Sequence, residues 1–187
     1  ASMRCVTIER PEMEIGKRGL NLIKEFEGLR LDAYLPTPVD IPTIGYGHTL
    51  SNEAELGMTI TEEEADRLLR NDLFWVEDSV HYFVKVDLNQ NQYDALCSFV
   101  FNLGATNLEK STLLKKLNEE DHEGAGLELL KWDFQGRTKL RGLTRRREAE
   151  LELFRDKRGV SATSRAVGAL RGLLGPLRAT LHRITAP

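Results

Sequence analysis

Between Asn89 and Gly104 the chain carries a strongly apolar helical pattern with its own start and stop signals, and this stretch constrains the fold most. Tyr93, Leu96, Cys97, Val100 and Phe101 fall on helical spacing, Asn89 with Gln92 can cap its start, and Gly104 can end it. A helix with this much apolar surface must be surrounded by other elements, so it predicts a central core helix in a mostly helical domain.

The rest of the chain supplies those elements. Residues 16–29 predict a helix in which Leu20, Ile23 and Glu27 stand at i, i+3 and i+7, with Leu22 and Phe26 as a neighbouring apolar pair. That stripe puts Glu27 on the buried side, whereas Glu25 falls between the solvent-facing Arg18 and Asn21. After Gly28 the helical signal stops, and Pro36-Thr-Pro-Val-Asp-Ile-Pro-Thr-Ile-Gly-Tyr-Gly-His48 is punctuated by Pro and Gly, which predicts a small irregular or β-hairpin region within residues 30–60. Thr61-Glu-Glu-Glu64 is a capping box opening a helix to about residue 79, with Ala65, Leu68, Leu69 and Leu73 on one side. Shorter helical patterns follow at about 111–118, 122–134 and 144–156. Trp75 and Trp132 lie among apolar neighbours and read as core. The expected fold class is therefore α+β, mostly helical, with one small β excursion near its start.

The 187 residues are 41% hydrophobic and 29% charged, enough for one substantial core and one main domain. Cys5 and Cys97 are too few for a disulfide scaffold, and with four scattered His they form no metal-ligand spacing, so neither a metal nor a cofactor is expected. No apolar run approaches the roughly 18 residues of a membrane span, and the polar first twenty residues contain no signal-peptide core. Ala1-Ser2-Met3 reads as an expression remnant ahead of a start methionine, within an N-terminal extension at 1–13.

Chemistry concentrates near Glu27. Cutting a glycosidic bond needs an acid to protonate the leaving oxygen, and usually a second group to place or activate water across the sugar ring. A carboxyl held against apolar surface keeps its proton to higher pH, because desolvation disfavours the charged form. Glu27, at the end of an amphipathic helix beside a Gly-rich hairpin that could border a cleft, suits that task. A solvated Glu at a helix end is the plainer alternative.

Read together, Glu27-Gly-Leu-Arg-Leu-Asp-Ala-Tyr34 and Thr43-Ile-Gly-Tyr-Gly-His48 closely resemble the signature of phage lysozymes in glycoside hydrolase family 24. Gln92-Tyr-Asp-Ala-Leu-Cys-Ser-Phe-Val-Phe-Asn-Leu-Gly104 and Gly142-Leu-Thr-Arg-Arg-Arg147, running into Glu150 and Phe154, extend the likeness over about residues 14–156. The resemblance implies a lysozyme-like fold with an interlobe cleft. It implies an endolysin that hydrolyses the β-1,4 bond between N-acetylmuramic acid and N-acetylglucosamine in bacterial peptidoglycan and so lyses the host cell. It maps the acid onto Glu27 and the residue that holds the attacking water onto Thr43. It also implies a buried Arg that orients the acid, assigned to Arg146 by counting back from Phe154, with Arg145 next to it.

One departure stands out. Nine residues after the acid the family has an Asp, or in some members a Cys, and here that position is Pro36. The interval from Tyr34 to Thr43 is one residue longer than usual, so Thr37 can occupy the equivalent place. Asp40 is the carboxylate inside the loop; it could reach the cleft or simply favour the turn. With no second carboxylate, threonines alone would position water, which leaves open a lytic transglycosylase giving anhydro products. A relative that only binds glycan is a further alternative.

Other residues carry two readings each. His48 could brace the hairpin against a carboxylate or line the cleft. Tyr46 could stack on a sugar or fill a local core, and Asn102 could bind an N-acetyl group or make a C-terminal helix contact. Gly45 and Gly47 supply tight backbone geometry that would also admit a sugar close to the main chain.

Residues 158–187 hold five Arg and no Asp or Glu, leaving 21 basic and 29 acidic residues elsewhere in a chain of net charge −3. Val167, Leu170, Leu173, Leu174, Leu177, Leu181 and Ile184 give this tail the pattern of a basic amphipathic helix, broken or kinked at Gly175-Pro176. It could pack on the catalytic unit, residues 14–157, or meet an outer membrane or lipopolysaccharide layer. No recognition motif accompanies the Arg, so nucleic acid is not expected as a partner. The chain is expected to act as a monomer, made in the host bacterial cytoplasm and acting on the cell wall in the periplasm.

Overall fold

A computed structural model of the chain describes residues 13–37, 41–49 and 56–159. Cys5, Asp40 and the tail from residue 160 lie outside the described residues.

Helix α1 (Lys17–Glu27) begins at Gly16, which has no side chain to cap it. The cap comes from α3 (Gln90–Leu103): the Asp94 carboxylate accepts from Gly16 N at 2.8 Å and Gly19 N at 3.0 Å. It thereby satisfies two of the N–H groups that every helix start leaves open. Gly28, at φ 71°, ends α1 directly after Glu27.

The chain then forms a three-stranded antiparallel sheet of β1 (Arg30–Tyr34), β2 (Thr43–Gly45) and β3 (His48–Thr49), in that order. Arg30 pairs with Gly45 and Tyr34 with Thr43, so β1 spends four residues where β2 spends two and bulges. All of β2 is buried.

Helix α2 (Glu62–Phe83) opens on the expected capping box, with Glu64 N donating to Thr61 Oγ1 and Thr61 N to Glu64 Oε2. The bond from Thr61 N, joined by one from Thr61 Oγ1 to the same oxygen at 3.1 Å, holds the Glu64 carboxyl below the usual carboxylate range. α2 packs on the sheet and on α3, and its buried stripe is Ala65, Leu69, Leu73, Val76 and Val80. Trp75 is not core as expected: it falls off this stripe and is 45% exposed, with Phe74 and Tyr82 also exposed. α2 also continues four residues beyond the expected end.

Helix α3 carries the second capping box, between Asn89 and Gln92, and ends at Gly104. It is buried along most of its length and packs against α1, α2 and α7 (Arg141–Arg155). Between α3 and α7 lie α4 (Ala105–Glu109), α5 (Thr112–Asn118) and α6 (His122–Leu129).

The helix expected over 122–134 stops at Leu129, and β4 (Phe134–Gln135) and β5 (Thr138–Lys139) form a hairpin instead. Asp133 explains this. Its carboxylate holds Lys139 Nζ at 2.9 Å and Thr144 Oγ1 at 3.0 Å, and its carbonyl accepts from Leu140 N. These bonds close a loop over Gly136, at φ 61°, and start α7 three residues earlier than expected. Trp132 is half-buried and edge-on to Phe99 at 5.4 Å, and Cys97 is a buried free thiol that burial pushes well above its ordinary pKa. Among the described residues, no helix is long and apolar enough to cross a membrane, and no group of three His, Cys, Asp or Glu could hold a metal ion.

Candidate active site

Glu27 is the last residue of α1, so the docking of that helix on α3 and the break at Gly28 set its position. Its side chain is 22% exposed. Arg146 of α7, itself buried, donates from Nη1 to Glu27 Oε1 at 2.6 Å, and its guanidinium lies over the Phe26 ring. One carboxylate oxygen is thus fixed by a charge-assisted bond.

The other oxygen faces the turn between β2 and β3. A methyl group added at Gly47 would lie 3.7 Å from Glu27 Oε2, and Gly47 sits at φ 90°. The glycine therefore supplies a backbone conformation that side chains rarely adopt and keeps the space beside the Glu27 carboxyl open.

Thr43 opens β2 in the same sheet. It is buried, and its Oγ1 donates to the Ile41 carbonyl at 3.1 Å. With its hydrogen committed, the hydroxyl can still accept through its lone pairs. Thr37 is exposed, next to the loop residues outside the described set.

Tyr46 and His48 have packing roles in this geometry. Tyr46 is 6% exposed, with Lys24 Nζ over its ring at 5.1 Å, so it fills the core of the small lobe and offers no open face for a sugar. His48 Nδ1 lies 2.8 Å from both Asp72 carboxylate oxygens and braces β3 against α2. Asn102 is half-buried near the end of α3. Its Oδ1 accepts from Arg147 Nη2 at 3.0 Å, and its NH2 has no partner among the described residues.

Behind Arg146 lies a group of residues to which the sequence analysis assigned no role. Glu150 is fully buried on α7, and its Oε1 accepts from Ser98 Oγ and Arg147 Nη2, each at 2.8 Å, and from Arg146 Nε at 3.4 Å. Arg147 is equally buried, against Phe99. Burial pushes the Glu150 carboxyl up, against the pull of both guanidinium groups and Ser98. Burial likewise lowers Arg147. The signal was in the sequence: a Glu three and four residues after two Arg shares their helix face. That the shared face is the buried one could not be read from the alternating charges of this helix.

Residues 24–150 match the family model described as "Phage lysozyme". The chain is 49% identical over 146 residues to an endolysin of Acyrthosiphon pisum secondary endosymbiont phage 1, covering 76% of this chain and 98% of that one. It is 45% identical over 145 residues to an endolysin of Salmonella phage P22, again covering 76% and 98%. A crystal structure of a mutant P22 lysozyme superposes with a TM-score of 0.71 at 42% identity, over 77% of this chain and 99% of that one. With the helical lobe, the small sheet and the Arg146–Glu27 pair already in place, these matches settle the family: the chain belongs to the phage lysozymes.

Proposed function

We propose that Glu27 donates the proton that cleaves the β-1,4 bond between N-acetylmuramic acid and N-acetylglucosamine. As a phage lysozyme the chain is a glycoside hydrolase of peptidoglycan, an endolysin acting on the bacterial cell wall. The observation that carries the assignment is the 2.6 Å bond from Arg146 to one oxygen of Glu27, with the other oxygen turned towards the glycine turn. A proton on that second oxygen passes to the bridging oxygen as the bond from the anomeric carbon to it breaks. A water then attacks the anomeric carbon and gives up a proton, leaving a free reducing end.

Thr43 is our choice for positioning that water, because its hydroxyl donates to Ile41 and keeps lone pairs to accept from it. Thr37 and Asp40 belong to the same reading, Asp40 as the carboxylate that would take the water's proton. Asn102 can offer its NH2 to an acetamido carbonyl of the substrate. Residues 14–157 are the catalytic unit, working as a monomer without nucleic acid and made in the host cytoplasm. We take that unit, rather than a membrane, as the partner of the basic residues 158–187, since a stripe of seven apolar residues is unfavourable in water.

Glu27→Gln tests the assignment. It should cost about two to four orders of magnitude in peptidoglycan hydrolysis while the thermal transition is kept. Full activity in the folded variant refutes Glu27 as the acid. Mass spectrometry of the fragments released by the unmodified protein should find reducing ends; anhydro ends would indicate a transglycosylase.

A further inference from the structure

The charge around Glu27 continues behind Arg146. Arg146 and Arg147, neighbours on α7, bring two guanidinium groups between α7 and α3, and Glu150 touches both. The side chains of Arg146, Arg147 and Glu150 are 4%, 0% and 0% exposed, so water and salt screen these charges little. With Glu27 they form an array of two cations and two carboxyl groups.

The main charges on the helices packed around this array have partners outside it, and on α1 Arg18 pairs with Asp156 and Lys24 with Asp66. On α6, Glu123 pairs with Arg155, and Glu128 with Lys116 and Lys131. On α3, Asp94 caps α1, while Ser98 and Asn102 contribute neutral groups. Asp133 holds Lys139 and Thr144 and acts on Arg147 through space.

A lone cation beside Glu27 would hold the acid in place and also favour its ionised form, yet a general acid must arrive protonated. A guanidinium does not give up its own proton, so relief has to come from an anion. Burial opposes the charge of Glu150, and the two guanidinium groups and the Ser98 hydroxyl that converge on its Oε1 within 3.4 Å favour it. Glu150 meets the Nε of the same guanidinium whose Nη1 meets Glu27. We propose that Glu150 is a positioning residue for the reaction: it balances the charge of Arg146 and Arg147, so that Arg146 orients Glu27 without stripping the proton that Glu27 donates. This rests on Glu27 being the acid.

The test is the pH dependence of peptidoglycan hydrolysis by full-length variants. Glu150→Gln keeps the shape and removes the charge, and the alkaline limb of activity should move to lower pH by about one unit or more. Arg147→Met removes a cation instead and should move the limb to higher pH. The double variant R147M/E150Q loses one charge of each sign, which buried pairs often tolerate, and its limb should return close to that of the unmodified enzyme. A residue that only supports the fold would lower Tm and kcat without moving the limb.

An unmoved limb in folded Glu150→Gln, or shifts of the same sign in both single variants, overturns the proposal. Where Glu150→Gln does not fold, the absence of an upward shift in Arg147→Met overturns it. Glu27→Gln is measured alongside. Activity retained there refutes the acid assignment itself, whereas loss there with an unmoved limb in the other variants refutes only the role of Glu150.

Discussion

Gly19 and Gly142 are both helical glycines, and the same substitution should have opposite signs at the two. Gly19 is buried where α1 meets α3. A methyl group there would lie 2.8 Å from Asp94 Cβ and Ile15 Cγ1 and 2.9 Å from Asp94 Cγ, distances at which something must move. Asp94 cannot move freely, because its two oxygens cap the start of α1. Alanine gains roughly 1 kcal/mol in helix propensity. Against that stand about 1–3 kcal/mol for overpacking and a further 1.5–3 kcal/mol, roughly, if one bond to the charged cap is lost. With one cap bond lost the clash wins by about 1.5–5 kcal/mol, and each 2 kcal/mol lowers Tm by roughly 4–8 °C in a chain of this size. Gly142, exposed on α7, has nothing within 4 Å of an added methyl, so Gly142→Ala should raise Tm by a degree or more, from a few tenths to about 1 kcal/mol. Thermal unfolding followed by circular dichroism reads both. A Gly19→Ala variant as stable as the unmodified protein would show that α1 is not held by close approach to Asp94.

Gly47→Ala places a methyl beside Glu27 Oε2 and strains a backbone at φ 90°; it should lower kcat/KM for peptidoglycan at least tenfold, roughly, with a smaller loss of stability than Gly19→Ala. Asp133 is held below the usual carboxylate range by Lys139, the first cause, and by Thr144. A carboxylate depressed in the folded state contributes stability that is present above its unfolded pKa of about 4 and is lost as pH falls through the folded value. Tm should therefore drop on acidification below about pH 4, and less steeply in Lys139→Met, where that partner is gone; equal slopes would remove Asp133 from the acid response. Deleting residues 160–187 should lower Tm if the arm packs on the catalytic unit, whereas unchanged stability with loss of action on intact Gram-negative cells would point to a membrane-active arm.

The sequence was most legible where a signal is local. Both capping boxes, the glycine stops after Glu27 and Leu103 and the apolar run of α3 need only neighbours along the chain, and they form as read. Failures came where a distant residue decides. Trp75 has apolar neighbours in sequence but lies off the stripe that α2 buries. The hairpin at 134–139 exists because Asp133 gathers Lys139, Leu140 and Thr144. Tyr46 and His48 each carried two readings in sequence, and the packing reading is the one whose partners, Lys24 and Asp72 on two different helices, the fold supplies.

For the site, the division is the same. The blocks around Glu27, Thr43 and Arg146 were enough to indicate family and chemistry, because residue type at fixed spacing limits which groups can share a cleft. What the chain order could not decide was environment. Only the packing of α7 against α3 removes Arg147 and Glu150 from water and joins them to Arg146, and only the docking of α1 on Asp94 brings Glu27 to meet it. Burial is a property of all the elements at once. It turns a charged helix sequence into a buried array of ion pairs that reaches Glu27.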